Sequence, residues 1–149
     1  ALFNIMGVKP FSGINECLES LSSNYLLAVV SGSDRNAVYY ILERHFHVHF
    51  DAVVSGDDVI KGKPDPAPYL KAVEFLGADI ENCIVFENAP YGVVAAKKAG
   101  IYCIGIPTYV GPQLLGMADK VLVDHLSLLT YLHYLVRHEI EGPFPAIFS

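Results

Sequence analysis

The sequence predicts an α/β fold in which one parallel sheet lies between two layers of helices, and three observations lead to this prediction. Short apolar runs rich in β-branched and aromatic residues alternate with segments of helical periodicity. The runs end at Gly, Asp, Ser or Pro, as buried parallel strands do. Hydrophobic residues make up 52% of the 149 residues and charged residues only 17%, which favours elements buried on more than one face.

Five strands are expected, one from each apolar run. They are Leu26–Val30, Phe50–Val54, Cys83–Phe86, Ile101–Ile106 and Lys120–Val123. Ligands of such three-layer α/β/α sheets bind beyond the carboxyl ends of the strands. Functional residues are therefore expected where strands end.

Helical segments separate these runs. The first has Ser12 placed as its N-cap and a second is expected from about Asp34 to His45. The apolar face of the first is Ile14, Cys17, Leu18 and Leu21. Asp65 and Pro66 begin a third helix that Gly77 ends, and its buried stripe is predicted to be Tyr69, Leu70, Val73 and Leu76. Pro90 opens a fourth, the last runs from about Leu126 to His138, and residues 139–149 form a C-terminal tail.

The charge and the cysteines limit the partners. Ten Lys and Arg against sixteen Asp and Glu give a net charge of −6, so the overall field would repel nucleic acid or anionic lipid. The longest apolar runs, Tyr25–Val30 and Ala37–Leu42, are far shorter than the roughly 20 residues of a membrane span. Cys17, Cys83 and Cys103 are expected to be buried reduced thiols, which favours a cytoplasmic location.

Function is expected at three strand exits, which are Ser31-Gly32-Ser33, Gly62-Lys63-Pro64 and Glu87-Asn88-Ala89-Pro90. Ser31, Gly32 and Ser33 place a hydroxyl and backbone N–H groups where they could bind an anion, or form a turn in which Ser33 or Asp34 only caps a helix. Lys63, between Gly62 and Pro64, suits a phosphoryl oxygen, but a lysine in this setting taken alone is more often a solvated surface residue.

Glu87 and Asn88 follow the most apolar short strand. Their carboxylate and amide oxygens are hard donors of the kind that Mg²⁺ accepts, although Asn88 could simply cap the helix that Pro90 begins. His45, His47 and His49 alternate at a spacing that suits a metal, but their place at a helix end and the approach to a strand favours a partly exposed linker.

Together these groups closely resemble the second, third and fourth motifs of the haloacid dehalogenase-like hydrolase superfamily, above all its phosphatase and β-phosphoglucomutase-like branch. The resemblance extends from residue 8 to residue 124 and is carried by DAVVSGDD at 51–58, GKPDP at 62–66 and FENAPYGV at 86–93. It implies a Rossmann-type core and Mg²⁺-dependent phosphoryl transfer through an aspartyl-phosphate, with a small phosphorylated metabolite or sugar phosphate as substrate.

The resemblance also implies roles for single residues. Ser31 would hydrogen-bond a phosphoryl oxygen, Lys63 would neutralise the transferring group and position the nucleophile, and Glu87 and Asn88 would hold Mg²⁺, directly or through water. Ser33 and Arg35 are candidates for contacting the leaving group. The family often has a second acid where Asn88 stands, so metal affinity should fall.

A larger departure is that no Asp-x-Asp-x-Thr or Ser follows an N-terminal strand, so the nucleophile and the acid/base are absent. We expect residues 1–149 to be a core domain without its first motif and cap, with residues 1–7 as the end of a cap helix. The missing strand should leave a gap in the sheet between the Ser31 and Glu87 strands, which a missing N-terminal segment or a partner strand would fill. Alternatives are a phosphosugar mutase, a catalytically dead pseudoenzyme or interaction fragment and, less favoured, a receiver-like phosphorelay domain.

Overall fold

The computed structural model of the protein describes Pro10, residues 12–137 and residues 146–148. Within these residues, six strands form one parallel sheet in the order β2-β1-β6-β3-β4-β5. The strands are β1 (Leu27–Val30), β2 (Ala52–Val54), β3 (Ile84–Glu87), β4 (Tyr102–Gly105), β5 (Lys120–Val121) and β6 (Ala146–Phe148). The predicted parallel α/β fold is confirmed, and the five predicted strands are present with ends that differ by at most two residues.

Helices cover both faces of the sheet. They are α1 (Ile14–Ser22), α2 (Arg35–His45), α3 (Ala67–Leu76), α4 (Pro90–Lys98) and α5 (His125–Arg137). Buried side chains of α1, α2 and α5 form one core with one face of the sheet, and those of α3 and α4 form a second core with the other face. The result is the three-layer arrangement that the alternating pattern predicts.

Most helix ends follow the sequence signals, but α3 begins at Ala67 with Pro66 as its N-cap, whereas the sequence predicts Asp65 as the cap and Pro66 in the first turn. Asp34 caps α2 by accepting a hydrogen bond from the Ala37 N–H at 3.0 Å, and Gly77 ends α3 in the left-handed region with φ of 61°. The prediction that Ser12 caps α1 is wrong. The N-cap is Gly13 with φ of 84°, and no side chain caps this helix, because Ser12 lies one residue too early in the chain.

The expected gap in the sheet is also wrong among the described residues. The C-terminal strand β6 lies between β1 and β3 and pairs with both in parallel, with Phe148 opposite Val29 and Phe86. All three of its residues are buried, Ala146 and Phe148 in one core and Ile147 in the other. Burial of apolar side chains on both faces of the sheet stabilises this short segment between β1 and β3.

The part of the expected tail at residues 146–148 is therefore the central strand of the sheet. The proposed cap-helix end at residues 1–7 lies outside the described residues. None of the helices in the described part of the chain combines the length and the apolar character that crossing a bilayer requires.

Candidate active site

The candidate site lies at the carboxyl edge of the sheet, where β1, β6 and β3 end side by side. Ser31 directly follows β1, and Glu87 is the last residue of β3. Because the strands are parallel, their ends meet at one edge, as the sequence predicts for such sheets.

Ser31 begins a tight turn that leads into α2. Its N–H donates to Val54 O at 2.9 Å, and its Oγ accepts a hydrogen bond from the Ser33 N–H at 3.2 Å. Gly32 is exposed, with no atom within 4 Å of the position that a Cβ would take. Both sequence interpretations describe this turn, because Asp34 caps the helix while the Ser31 hydroxyl stays at the strand exit.

The loop that follows β2, at Ser55–Asp58, supports this turn. Gly56 donates its N–H to Ser33 O at 2.7 Å, and a Cβ on Gly56 would lie 2.6 Å from Gly32 O, so only glycine allows this approach. Asp57 Oδ2 accepts from the Arg35 N–H at 2.7 Å, and Asp58 Oδ1 forms an ion pair with Arg35 Nη2 at 2.7 Å. Arg35, expected near a leaving group, is therefore held by this acidic loop and remains more than half exposed.

Asp58 also braces its own loop. Its Oδ2 accepts hydrogen bonds from the Ser55 N–H at 2.7 Å and from Ser55 Oγ at 2.8 Å. Donation by the Ser55 backbone and side chain, together with Arg35, lowers the pKa of Asp58 below its ordinary value, against the effect of burial.

Lys63 reaches across the sheet edge from the loop that precedes α3. Its Nζ lies 2.9 Å from Glu87 Oε2 at the end of β3 and 3.4 Å from Val30 O at the end of β1. The ammonium also lies 5.1 Å from the centroid of the Tyr69 ring. Lys63 is thus not a solvated surface lysine, since its side chain is only 17% exposed.

Glu87 is completely buried and accepts four hydrogen bonds from described residues. Its Oε1 accepts from the N–H groups of Asn88 and Ala89 at 2.8 and 3.0 Å. Its Oε2 accepts from Lys63 and from the Tyr69 hydroxyl, the latter at 2.5 Å. Such donors stabilise a carboxylate that burial would otherwise penalise.

Gly92 of α4 makes room for this carboxylate. A Cβ at Gly92 would overlap the Glu87 carboxyl group, which passes directly over the first turn of the helix. Glycine is therefore required here for space and not for its backbone freedom, since φ at Gly92 is not positive.

The described donors do not complete a Mg²⁺ site by themselves. A carboxylate has about four lone-pair positions, and the four hydrogen bonds to Glu87 use them. Asn88 is buried and adds an amide oxygen, but no group of three or more His, Cys, Asp or Glu within the described ranges could hold a metal ion. Direct coordination by Glu87 would require one of its donors to leave.

The structure brings Lys63, Glu87 and Asn88 together next to the end of β1, whereas Ser33 and Arg35 contact the acidic loop. Sequence reasoning missed Tyr69 as a site residue. Its position in the apolar stripe predicts burial, which is confirmed at 0% exposure, but its hydroxyl points to Glu87. The available signal was chemical, because a buried tyrosine hydroxyl needs a partner.

The remaining candidates lie elsewhere. The three cysteines are free and buried, as predicted. Burial raises the pKa of Cys83 to about 11 and that of Cys103 to about 12. His47 Nδ1 lies 3.7 Å from Glu19 Oε1, and His45 ends α2.

Sequence comparisons find similar proteins that are named as a phosphatase and a phosphosugar mutase. The validoxylamine A 7'-phosphate phosphatase of Streptomyces hygroscopicus subsp. limoneus is 45% identical over 74 residues, which are 50% of this chain and 35% of that protein. The β-phosphoglucomutase of Bacillus subtilis (strain 168) is 32% identical over 134 residues, 86% of this chain and 58% of that protein.

The fold comparison gives the same result. The crystal structure of CbbY from Rhodobacter sphaeroides in complex with phosphate matches with a TM-score of 0.73 at 27% identity, over 81% of this chain and 56% of that chain. The chain thus spans less than two thirds of each of these proteins. A family model described as haloacid dehalogenase-like hydrolase matches residues 3–106, more than half of the sequence. The chain therefore belongs to the haloacid dehalogenase-like hydrolases.

Proposed function

We propose that this chain is the phosphate-binding core of a phosphatase that acts on a small phosphorylated metabolite or sugar phosphate. The observation that carries the proposal is the Lys63 ammonium, which lies at the carboxyl edge of the sheet between the end of β1 and Glu87. A cation held there by a buried carboxylate is well placed to attract a phosphoryl oxygen. The name of the Streptomyces relative, a phosphatase of a phosphorylated compound, supports the same reaction class.

Each residue has a proposed role. Ser31 and the N–H groups of its turn bind a phosphoryl oxygen, and Lys63 neutralises the charge of the group that is transferred. In the parent enzyme the reaction passes through an aspartyl-phosphate. The 149 residues contain no Asp-x-Asp sequence, so the nucleophile comes from outside them. We propose that this chain binds phosphate but does not catalyse hydrolysis of a phosphate ester by itself.

Mg²⁺ is the proposed cofactor of the parent enzyme, in which it neutralises charge when bound. Asn88 and Glu87 are the proposed ligands, with Glu87 acting through water in view of its four donors. Asn88 supplies no charge, so we expect weak affinity for the cation.

Binding of inorganic phosphate to the purified chain, followed by ³¹P NMR, tests the proposal. We expect Lys63→Met to weaken binding by about tenfold or more, because it removes a charge-assisted contact. Lys61→Met, at an exposed lysine two residues earlier, is the matched control and should leave the affinity unchanged. Equal binding by the Lys63→Met chain would overturn the proposed role of Lys63. Robust Mg²⁺-dependent hydrolysis of p-nitrophenyl phosphate by this chain alone would overturn the proposal that it is inactive without the nucleophile.

A phosphosugar mutase is the second candidate, because the relative named β-phosphoglucomutase aligns with 86% of this chain. Both reactions need the same phosphate-binding core and differ in where the phosphoryl group goes. In a protein that also carries the first motif, release of inorganic phosphate from a sugar phosphate indicates a phosphatase. Transfer of the phosphoryl group to another hydroxyl of the sugar, with no inorganic phosphate released, indicates a mutase. A pseudoenzyme or interaction fragment predicts no phosphate binding by the wild-type chain.

A further inference from the structure

We propose that Tyr69 is a positioning residue of this site: its hydroxyl holds the Glu87 carboxylate so that the Lys63 ammonium remains available to a phosphoryl oxygen. The proposal rests on the proposed function. It starts from one oxygen atom, Glu87 Oε2, that accepts hydrogen bonds from Tyr69 Oη at 2.5 Å and from Lys63 Nζ at 2.9 Å. Two donors from different parts of the chain thus share the same acceptor.

The hydroxyl of Tyr69 is more than an incidental part of the core. The side chain is fully buried in the core formed by α3 and α4, where phenylalanine would fill nearly the same volume. The hydroxyl meets a charged acceptor, and such hydrogen bonds are roughly twice as strong as those between neutral groups. The Tyr69 ring also lies beside the Lys63 ammonium, with 5.1 Å between Nζ and the ring centroid.

The hydroxyl changes how strongly Glu87 retains Lys63. With Tyr69 in place, the negative charge on Oε2 is shared between two donors. Without the hydroxyl, this buried oxygen loses one of the two donors described above, so its negative charge is less well compensated. Glu87 would then hold the ammonium more tightly, at the expense of an incoming phosphate.

The same arrangement explains how Lys63 could turn toward a substrate. When the ammonium moves to a phosphoryl oxygen, Tyr69 and the N–H groups of Asn88 and Ala89 still donate to the buried carboxylate. Glu87 therefore stays in place and keeps its charge compensated. Tyr69 acts through Glu87 and does not itself contact the phosphoryl group.

The test compares Tyr69→Phe with Tyr25→Phe. Tyr25 is the matched control because it is also buried and its hydroxyl donates to Leu135 O at 3.1 Å, away from Lys63 and Glu87. We expect Tyr69→Phe to weaken inorganic phosphate binding by about tenfold, as for the loss of one hydrogen bond to a charged group. Tyr25→Phe should leave it unchanged. In a Glu87→Gln background, Tyr69→Phe should have little further effect, because the shared charge is gone.

A second readout does not depend on phosphate. The ¹⁵N resonance of the Lys63 ammonium, assigned by its loss in Lys63→Met, reports the surroundings of Nζ. We expect it to shift in Tyr69→Phe and to stay in place in Tyr25→Phe. Urea unfolding of each variant shows whether it is folded.

The outcomes separate this inference from the proposed function. If the wild-type chain binds no phosphate, the proposed function fails, and the ammonium resonance alone decides the role of Tyr69. If the wild-type chain binds phosphate and Tyr69→Phe binds equally well, Tyr69 has no positioning role. An unchanged Lys63 resonance in Tyr69→Phe, or equal weakening by Tyr25→Phe, would also overturn the inference.

Discussion

The Lys63 ammonium and the Glu87 carboxylate form an ion pair at 2.9 Å that joins the loop before α3 to the end of β3. Glu87 is fully buried, and the Lys63 side chain is 17% exposed. In such a pair the cost of removing both charges from water offsets much of their attraction. The pair therefore contributes more to fixing the position of the Lys63 ammonium at the candidate site than to the free energy of unfolding.

Removing only the carboxylate should nevertheless be costly. Glu87→Ala removes one acceptor from a largely buried ammonium, a buried tyrosine hydroxyl and two N–H groups. We expect a loss of about 3–5 kcal/mol in the free energy of unfolding, measured by urea denaturation. Glu74→Ala is the control, because Glu74 pairs with Lys71 on the surface at 3.7 Å and should change stability by less than about 1 kcal/mol. Equal effects of the two variants would contradict the assigned role of Glu87.

Gly92→Ala should destabilise the protein although alanine favours helices. In an open helix the substitution would stabilise by up to about 1 kcal/mol. At this position the new methyl group would overlap the Glu87 carboxyl group, so we expect a net loss of about 1–3 kcal/mol in urea denaturation. Gly62→Ala, whose added Cβ would meet no atom within 4 Å, is the matched control and should be close to neutral. A stabilising Gly92→Ala would show that Glu87 does not lie over this turn.

The arrangement around Glu87 marks the limit of what the sequence could predict. Strand exits and the Asp34 cap follow from local patterns, and the structure places them as expected. The local pattern around Lys63 favours a surface lysine, and only the resemblance to the family predicts its place in the site. The role of Tyr69 does not follow, because periodicity identifies a buried position without showing what its hydroxyl meets. That contact joins two residues 18 positions apart, Tyr69 in the first turn of α3 and Glu87 at the end of β3.

Strand β6 could not be predicted for a different reason. Its three residues, Ala146–Phe148, are too few to show a period, and two prolines precede them. Its partners, β1 and β3, lie more than 50 residues earlier in the chain, so only tertiary packing specifies the pairing. The sequence predicts an unfilled slot, and the structure shows which segment fills it.

Acid should weaken the loop that supports the Ser31 turn. Donation from Ser55, with help from Arg35, lowers the pKa of Asp58 below its ordinary 3.8. A carboxyl group with a lowered folded-state pKa contributes stability above the ordinary value, and that stability is lost as the pH falls through the folded-state pKa. Urea midpoints should therefore show Asp58→Asn less stable than wild type at pH 7, with the difference shrinking below about pH 3.8.

A second variant locates the origin of this acid sensitivity. In a Ser55→Ala background one of the donors to Asp58 is gone, so the effect of Asp58→Asn at pH 7 should be smaller. A difference between wild type and Asp58→Asn that stays constant from pH 7 into the acid range would contradict the assignment.

The last prediction concerns β6 as the central strand. Phe148 is 4% exposed and stacks on Phe86 with ring centroids 5.0 Å apart, so Phe148→Ala should lower the free energy of unfolding by about 3–5 kcal/mol. Phe75→Ala, at a phenylalanine that is 47% exposed on α3, is the matched control and should cost far less. Ile147→Asp would place a charge in the opposite core and should prevent folding, since Ile147 is fully buried. Near-neutral effects at both positions would mean that β6 does not occupy the slot between β1 and β3. Loss of stability at Phe148 and Ile147 together, on opposite faces of one strand, is what a strand buried between two cores requires.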